Sequence, residues 1–212
     1  TSITVQPPSN NTSGTVMSSF FTRKTLHDRL ERMAFPSTEE LTRLIAPVAE
    51  KHGMDLENLR TVKAGKKSQV VVALDSDSRP TLDELEVVSQ ELSSLFDDLE
   101  DAGEVNFGAG YTLEITTPGV DLPLTVPRHW RRNRGRLVDV DGETYRIGAL
   151  SDDERELVLV EAGSKAPKVF VRPVSEMPKS VVEVEFNAAP VAEVELAELS
   201  FEEASKLEAG ER

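Results

Sequence analysis

The chain of 212 residues contains no cysteine. That excludes disulfides, thiolate metal sites and cysteine nucleophiles, and it fits a reducing cytoplasm. Aromatic residues make up 5% of the chain, with a single tryptophan, so any core must be mostly aliphatic. No apolar run approaches the ~18–20 residues that a membrane-spanning helix needs, and no membrane partner is expected. The three histidines, His27, His52 and His129, lack metal-ligand spacing, so no metal centre or other cofactor is expected. Basic residues are also scarce: 24 Lys and Arg against 38 Asp and Glu leave a net charge of −14. A field of that sign repels a phosphate backbone and excludes general duplex binding, although a local basic patch can still hold RNA.

The first 35 residues are rich in Ser, Thr, Asn and Pro and read as a disordered or non-native extension. Within them, Phe20–Leu30 has the makings of a short helix, and Met33 is the expected natural start. Organised patterning follows. Ser37-Thr-Glu-Glu40 is a capping box ahead of Leu41, Leu44, Ile45 and Val48 at helical spacing. Pro47 inside this span predicts a kink or a second short turn, and Gly53 an exit. Leu56–Val62 and Gln69–Asp75 read as strands joined by a turn at Ala64–Lys67. Thr81-Leu-Asp-Glu84 repeats the capping box before a helix of about five turns that ends near Gly103. Tyr111–Thr117 alternates as a third strand. The α-β-β-α-β order over 36–118 predicts a small sheet covered by two helices.

Pro118, Gly119, Pro123 and Pro127 mark residues 119–127 as a Pro/Gly linker. From 128 to 186 the pattern is all-β, with strands expected at Gly135–Val140, Thr144–Leu150, Glu156–Glu161, Lys168–Arg172 and Ser180–Phe186. Asp141-Gly142 is a two-residue hairpin signal. Five short strands with tight turns suggest a small closed barrel, making the fold class α+β. Residues 187–212 carry seven Glu and read as a solvated or weakly helical acidic tail.

Charge is unevenly spread: +2 over 1–35, −10 over 36–118, +1 over 119–182 and −7 over 183–212. Five arginines crowd into nine positions, Arg128, Arg131, Arg132, Arg134 and Arg136, around His129 and Trp130. Guanidinium forks match phosphate oxygens and stack on bases, so this run is a candidate RNA-backbone site. The competing reading is a solvated turn whose arginines pair with nearby acids while Trp130 plugs the barrel. Lys66 and Lys67, with Lys63, offer a second phosphate contact or merely a soluble turn. Between Pro80 and Gly110 there is no Lys or Arg, so the acids of the long helix lack i,i+4 partners. Asp97, Asp98, Glu100 and Asp101 are candidates for a face that meets a basic protein. No serine, histidine or acid pair has a catalytic setting, and no enzyme is expected.

From Tyr111 the sequence reads YTLEITTPGVDLPLTVPRHWRRNRGR. This resembles the linker signature of the RimP-type bacterial ribosome maturation factors. The resemblance rests on Leu113, Glu114, Ile115, Thr116, Thr117, Pro118, Gly119, Val120, Asp121, Pro123 and Leu124, with Gly135-Arg136 opening the barrel. It extends over 36–186, including the helix with Pro47 and its exit His52-Gly53-Met54-Asp55-Leu56. One departure is Leu122, where that family commonly has a basic residue. The resemblance implies a cytoplasmic, two-domain assembly factor, monomeric, with an α/β first domain and a five-stranded Sm-like barrel. Its implied partners are the immature small ribosomal subunit, ribosomal RNA and a basic small-subunit ribosomal protein. No covalent chemistry is implied. The rival class is an acidic protein–protein adaptor that never touches RNA.

Overall fold

The computed structural model describes residues 2–5, 35–64 and 67–208. The expected Phe20–Leu30 helix, the start at Met33, most of the 1–35 extension and Lys66 lie outside them. The chain divides between Pro118 and Gly119 into two compact units.

In the first unit, α1 (Thr38–Lys51) starts at a complete capping box: Ser37 accepts from the Glu40 amide while the Glu40 carboxylate accepts from that of Ser37. Pro47 lies inside this helix, which runs on to Lys51 instead of breaking. Pro47 is exposed, so its ring faces water and displaces no core contact. Strands β2 (Asp55–Ala64) and β3 (Lys67–Asp75) pair antiparallel. Helix α2 (Leu82–Asp101) opens on the second capping box, at Thr81 and Glu84. It crosses back to β4 (Tyr111–Thr116), which runs parallel to β3 as a helical crossover requires. Leu41 and Ile45 of α1 and Leu85, Val88, Leu92 and Phe96 of α2 bury their apolar stripes against Val70, Val72, Leu113 and Ile115. Phe96, Phe107 and Tyr111 form an aromatic stack beneath one end, with Phe107 and Tyr111 rings 4.4 Å apart.

The sheet has a fourth strand where no element is expected. Ser2–Val5 (β1) pairs antiparallel with β4, Ile3 opposite Ile115, giving the order β1-β4-β3-β2. A four-residue strand is too short to announce itself by periodicity; what selects it is the row of free backbone groups on the β4 edge.

The second unit begins with α3 (Pro127–Arg132) and holds a five-stranded antiparallel sheet of β5 (Leu137–Val140), β6 (Glu143–Leu150), β7 (Glu156–Glu161), β8 (Val169–Pro173) and β9 (Val181–Glu183), in the order β8-β7-β6-β5-β9. The β5–β6 turn is made by Asp141 and Gly142, both at positive φ (53° and 87°), as a type I′ hairpin demands. Gly148 sits at the β6 irregularity between Ile147 and Leu150; a Cβ there would lie 2.6 Å from Val158 Cγ1, so only glycine lets the strands approach.

Strand β7 is buried on both faces. Leu157 and Leu159 point into a core with Trp130, Val138 and Ile147, while Val158 and Val160 lie under a second cover. That cover is the segment expected to be a solvated or weakly helical tail; it is helical, and it is packed instead of solvated. It folds into α4 (Val191–Glu198) and α5 (Phe201–Ser205), and Ala197 and Ala204 pack on Val158, Val160 and Val169. The acidic tail is thus a folded part of the second unit, because the outer face of β7 must be shielded from water. The 119–127 stretch is not a bare linker either: Leu124 is buried in the Trp130 core, and its amide donates to Ser180 O at 2.9 Å.

Candidate functional site

Helix α3 is six residues, PRHWRR, beginning with a proline at its first turn. Its geometry separates two kinds of side chain. His129 and Trp130 are buried, and Trp130 retains 1% exposure in the core with Leu124, Val138 and Ile147. Arg128, Arg131 and Arg132 are at i, i+3 and i+4, so they share the opposite face. The Thr125 amide donates to His129 Nδ1 at 3.1 Å, so that nitrogen is an acceptor. Asn133 Nδ2 donates to His129 O at 2.8 Å. The helix is therefore held by its buried side, and the arginine face projects from a fixed base.

The five arginines do not act alike. Arg131 is exposed and its Nη1 is paired with Glu154 Oε1, each side chain keeping 43% exposure. Arg128 and Arg132 are half-buried and also engaged. Arg134 donates from Nε to Ala197 O at 3.0 Å and from Nη2 to Leu199 O at 2.7 Å. It thus satisfies carbonyls at the end of α4, which favours a cation there. Arg136 is half-buried and donates to Asn133 Oδ1 at 3.0 Å. The structure brings the run together at the start of the second unit, and it ties Arg134 and Arg136 into that unit's own fold.

Of the other candidate residues, Lys67 opens β3. In the linker motif, Pro118 closes the first unit. A side chain at Gly119 would collide with the Asp121 carboxylate. The Leu122 amide donates to Gly119 O at 3.1 Å, a tight turn that leads through half-buried Pro123 to Leu124.

On α2, Asp98 and Asp101 are exposed. Asp97 and Glu100 are half-buried and have local work. Tyr111 Oη donates to Asp97 Oδ1 at 3.3 Å, and the Phe107 amide donates to Glu100 Oε1 at 3.0 Å. Burial pushes the Asp97 carboxyl above the usual range, against the pull of the Tyr111 hydroxyl. Burial also raises the Tyr111 phenol. Glu91 does have partners at the end of α1: the Lys51 ammonium, Nζ at 2.7 Å, and His52 Nε2 at 2.8 Å. Those two hydrogen bonds, Lys51 first, hold its carboxyl below the ordinary value. Among the described residues no group of three His, Asp or Glu is placed to hold a metal, and no helix is long and apolar enough to cross a membrane.

A buried polar cluster in the second unit has no counterpart in the sequence reading. Arg146 of β6 is 1% exposed. It donates to Glu185 at 2.7 and 3.0 Å, to Glu193 at 3.0 and 3.2 Å and to Gly135 O at 2.8 Å. Glu193, also 1% exposed, further accepts from the Gly163 amide at 2.8 Å. The Arg146 hydrogen bonds lower the Glu185 carboxyl, and Glu185 foremost raises the Arg146 guanidinium. The available signal is an arginine in mid-strand with apolar positions around it; the glutamate lies in a segment whose composition predicts a solvated or weakly helical tail.

Residues 44–121 match the family model described as "RimP N-terminal domain". Over the longer chain, a protein of Corynebacterium diphtheriae is 52% identical over 178 residues, covering 81% of this chain and 96% of that one. A protein of Corynebacterium aurimucosum is 46% identical over 177 residues, covering 80% and 94%. One from Corynebacterium kroppenstedtii is 41% identical over 187 residues, covering 81% and 99%. Each of these relatives is a "Ribosome maturation factor RimP". A two-unit α+β chain with an arginine-faced helix at the head of its second unit thus falls among ribosome maturation factors. It belongs to the RimP family.

Proposed function

We propose that this chain binds the immature small ribosomal subunit transiently and helps its RNA and proteins reach their mature arrangement. The observation that carries the reading is the face of α3. Arg128, Arg131 and Arg132 stand together on a helix anchored by Trp130, within the stretch 119–182, which carries +1 in a chain whose net charge is −14. The Arg131–Glu154 pair is half-exposed, and such pairs contribute about 0–1 kcal/mol, so a phosphate can take the place of the carboxylate. Arg134 and Arg136 are bonded to the end of α4 and to Asn133 respectively.

The mean negative field keeps attachment to other RNA weak, while the local arginines give a defined docking point. The exposed acids Asp98 and Asp101 of α2, with half-buried Asp97 and Glu100, offer a face to a basic small-subunit ribosomal protein. Maturation would release the factor by removing the conformation it prefers. The antiparallel order of the second sheet and its closed Trp130 core support an Sm-like barrel as its fold. A cytoplasmic monomer acting without covalent chemistry is part of the same reading.

The test is the sedimentation position of the native protein in an extract. Enrichment with free small-subunit precursors over mature ribosomes is expected. Sedimentation only as free protein, or with partners that lack RNA, would overturn the reading in favour of an acidic adaptor.

A further inference from the structure

The second unit has a cavity of about 230 Å³ that none of the docking residues touches. It lies between the Asp141–Gly142 turn and the chain that leads from β8 to β9. Its walls include Tyr145, Phe170 and Met177, and its polar groups are Asp141, Arg172 and Glu176. We propose that this cavity takes an unpaired guanine of RNA, with the base inside and its phosphate toward Arg172.

Size comes first. Drug-sized pockets span ~300–1,000 Å³, so this smaller cavity suits a single planar ring system. The walls are right for a planar group. Tyr145 and Phe170 are both half-buried and meet edge to face, with centroids 5.9 Å apart at 88°. Half-exposed aromatic rings are the usual platform for an unstacked base. The Arg172 guanidinium lies 5.4 Å from the Phe170 centroid, and Nη1 donates to Val171 O at 2.9 Å, which fixes the cation beside the ring.

The polar groups then choose among ligands. Asp141 and Glu176 are exposed carboxylates, which only accept hydrogen bonds when ionised. Asp141 is pinned by its turn, at φ 53° before Gly142. Guanine presents two adjacent donors, N1–H and the N2 amino group, on its pairing edge. Adenine and cytosine present one amino group beside an acceptor nitrogen that a carboxylate repels, and uracil presents one N–H between two carbonyls. A lysine or arginine side chain would satisfy the carboxylates but place a second cation against Arg172. A guanine nucleotide satisfies both signs, since its phosphate supplies an anion to Arg172, which has no ion pair among the described residues.

This inference rests on the reading of the chain as a factor that contacts ribosomal RNA, and it adds which element of RNA the barrel mouth would hold. The experiment is a titration of the full chain with GMP, AMP, CMP and UMP, and separately with a short arginine-rich peptide. It is followed by NMR at Tyr145, Phe170 and the Met177 methyl. GMP is expected to shift all three, at least tenfold more tightly than AMP. Asp141→Asn and Glu176→Gln, both on the surface and outside either core, should each weaken GMP about tenfold and leave the rest of the spectrum unchanged. Equal response to all four nucleotides, no response at millimolar GMP, or a response to the peptide alone would overturn the assignment. If GMP fails while the chain still sediments with precursor particles, the guanine pocket falls and the ribosome reading stands.

Discussion

Replacing Arg146 with methionine should unfold the second unit far more easily than any exposed arginine substitution. The substitution keeps the apolar stem but removes the guanidinium that serves Glu185, Glu193 and the Gly135 carbonyl. Glu193 would be left 1% exposed with the Gly163 amide as its remaining donor among the described residues. Breaking a buried pair on one side costs about 3–5 kcal/mol, because the surviving charge stays desolvated. Adding Glu193→Met should recover most of that loss, since apolar replacements of whole buried ion pairs are near neutral or stabilising.

The assay is urea unfolding followed through Trp130, the chain's one tryptophan, which sits in the core of the same unit. With an m-value of about 1–3 kcal/mol/M, Arg146→Met alone should lower the midpoint by about 2 M. Protonation offers an independent check. The Glu185 carboxyl is held below its ordinary value of 4.5 by its hydrogen bonds with Arg146. A depressed carboxyl contributes stability that is present above its unfolded value and lost as pH falls through the folded one. Wild-type stability should therefore fall below pH 4.5 more steeply than that of Glu185→Gln. A loss under 1 kcal/mol for Arg146→Met, or no recovery in the double variant, would refute the reasoning.

Trp130→Ala should cost about 3–5 kcal/mol by urea unfolding, as its side chain fills the centre of the second core. Ser37→Ala and Thr81→Ala should each cost about 1 kcal/mol of first-unit stability, read by thermal melts, because each removes a side-chain acceptor at a helix start. Asp97→Asn should stabilise the first unit at neutral pH, since burial raises this carboxyl and penalises its charged form. The advantage should shrink as pH falls through the raised folded value toward 3.8, where wild type itself becomes protonated.

Much of the first unit is legible because its signals are local. Two capping boxes, two long apolar stripes and a β-branched run each specify their element within a few residues. The covered sheet of the second unit is less legible, although the clue is present. Leu157-Val-Leu-Val160 is continuous instead of alternating, which in a strand means that both faces are buried. Something had to cover the outer face, and the C-terminal helices do. Their acidic composition masked this, because the decisive residues are two alanines and a glutamate whose partner, Arg146, is 47 positions away. A still longer separation, 63 and 65 positions, hides the role of Arg134, which in sequence belongs to a basic run and in space closes the end of α4. The short helix α3 was missed because six residues carry too little periodicity, but its proline start and its buried Trp130 were visible.

The most direct test of the docking face is binding to precursor small-subunit particles over a range of salt, comparing wild type with Arg131→Glu/Arg132→Glu. Loss of each phosphate contact should flatten the slope of log K against log salt by about 0.7–0.9. The double variant should bind more weakly and with a slope reduced by about one to two, while its urea midpoint stays close to wild type. Undiminished binding with an unchanged slope would show that these arginines do not meet RNA.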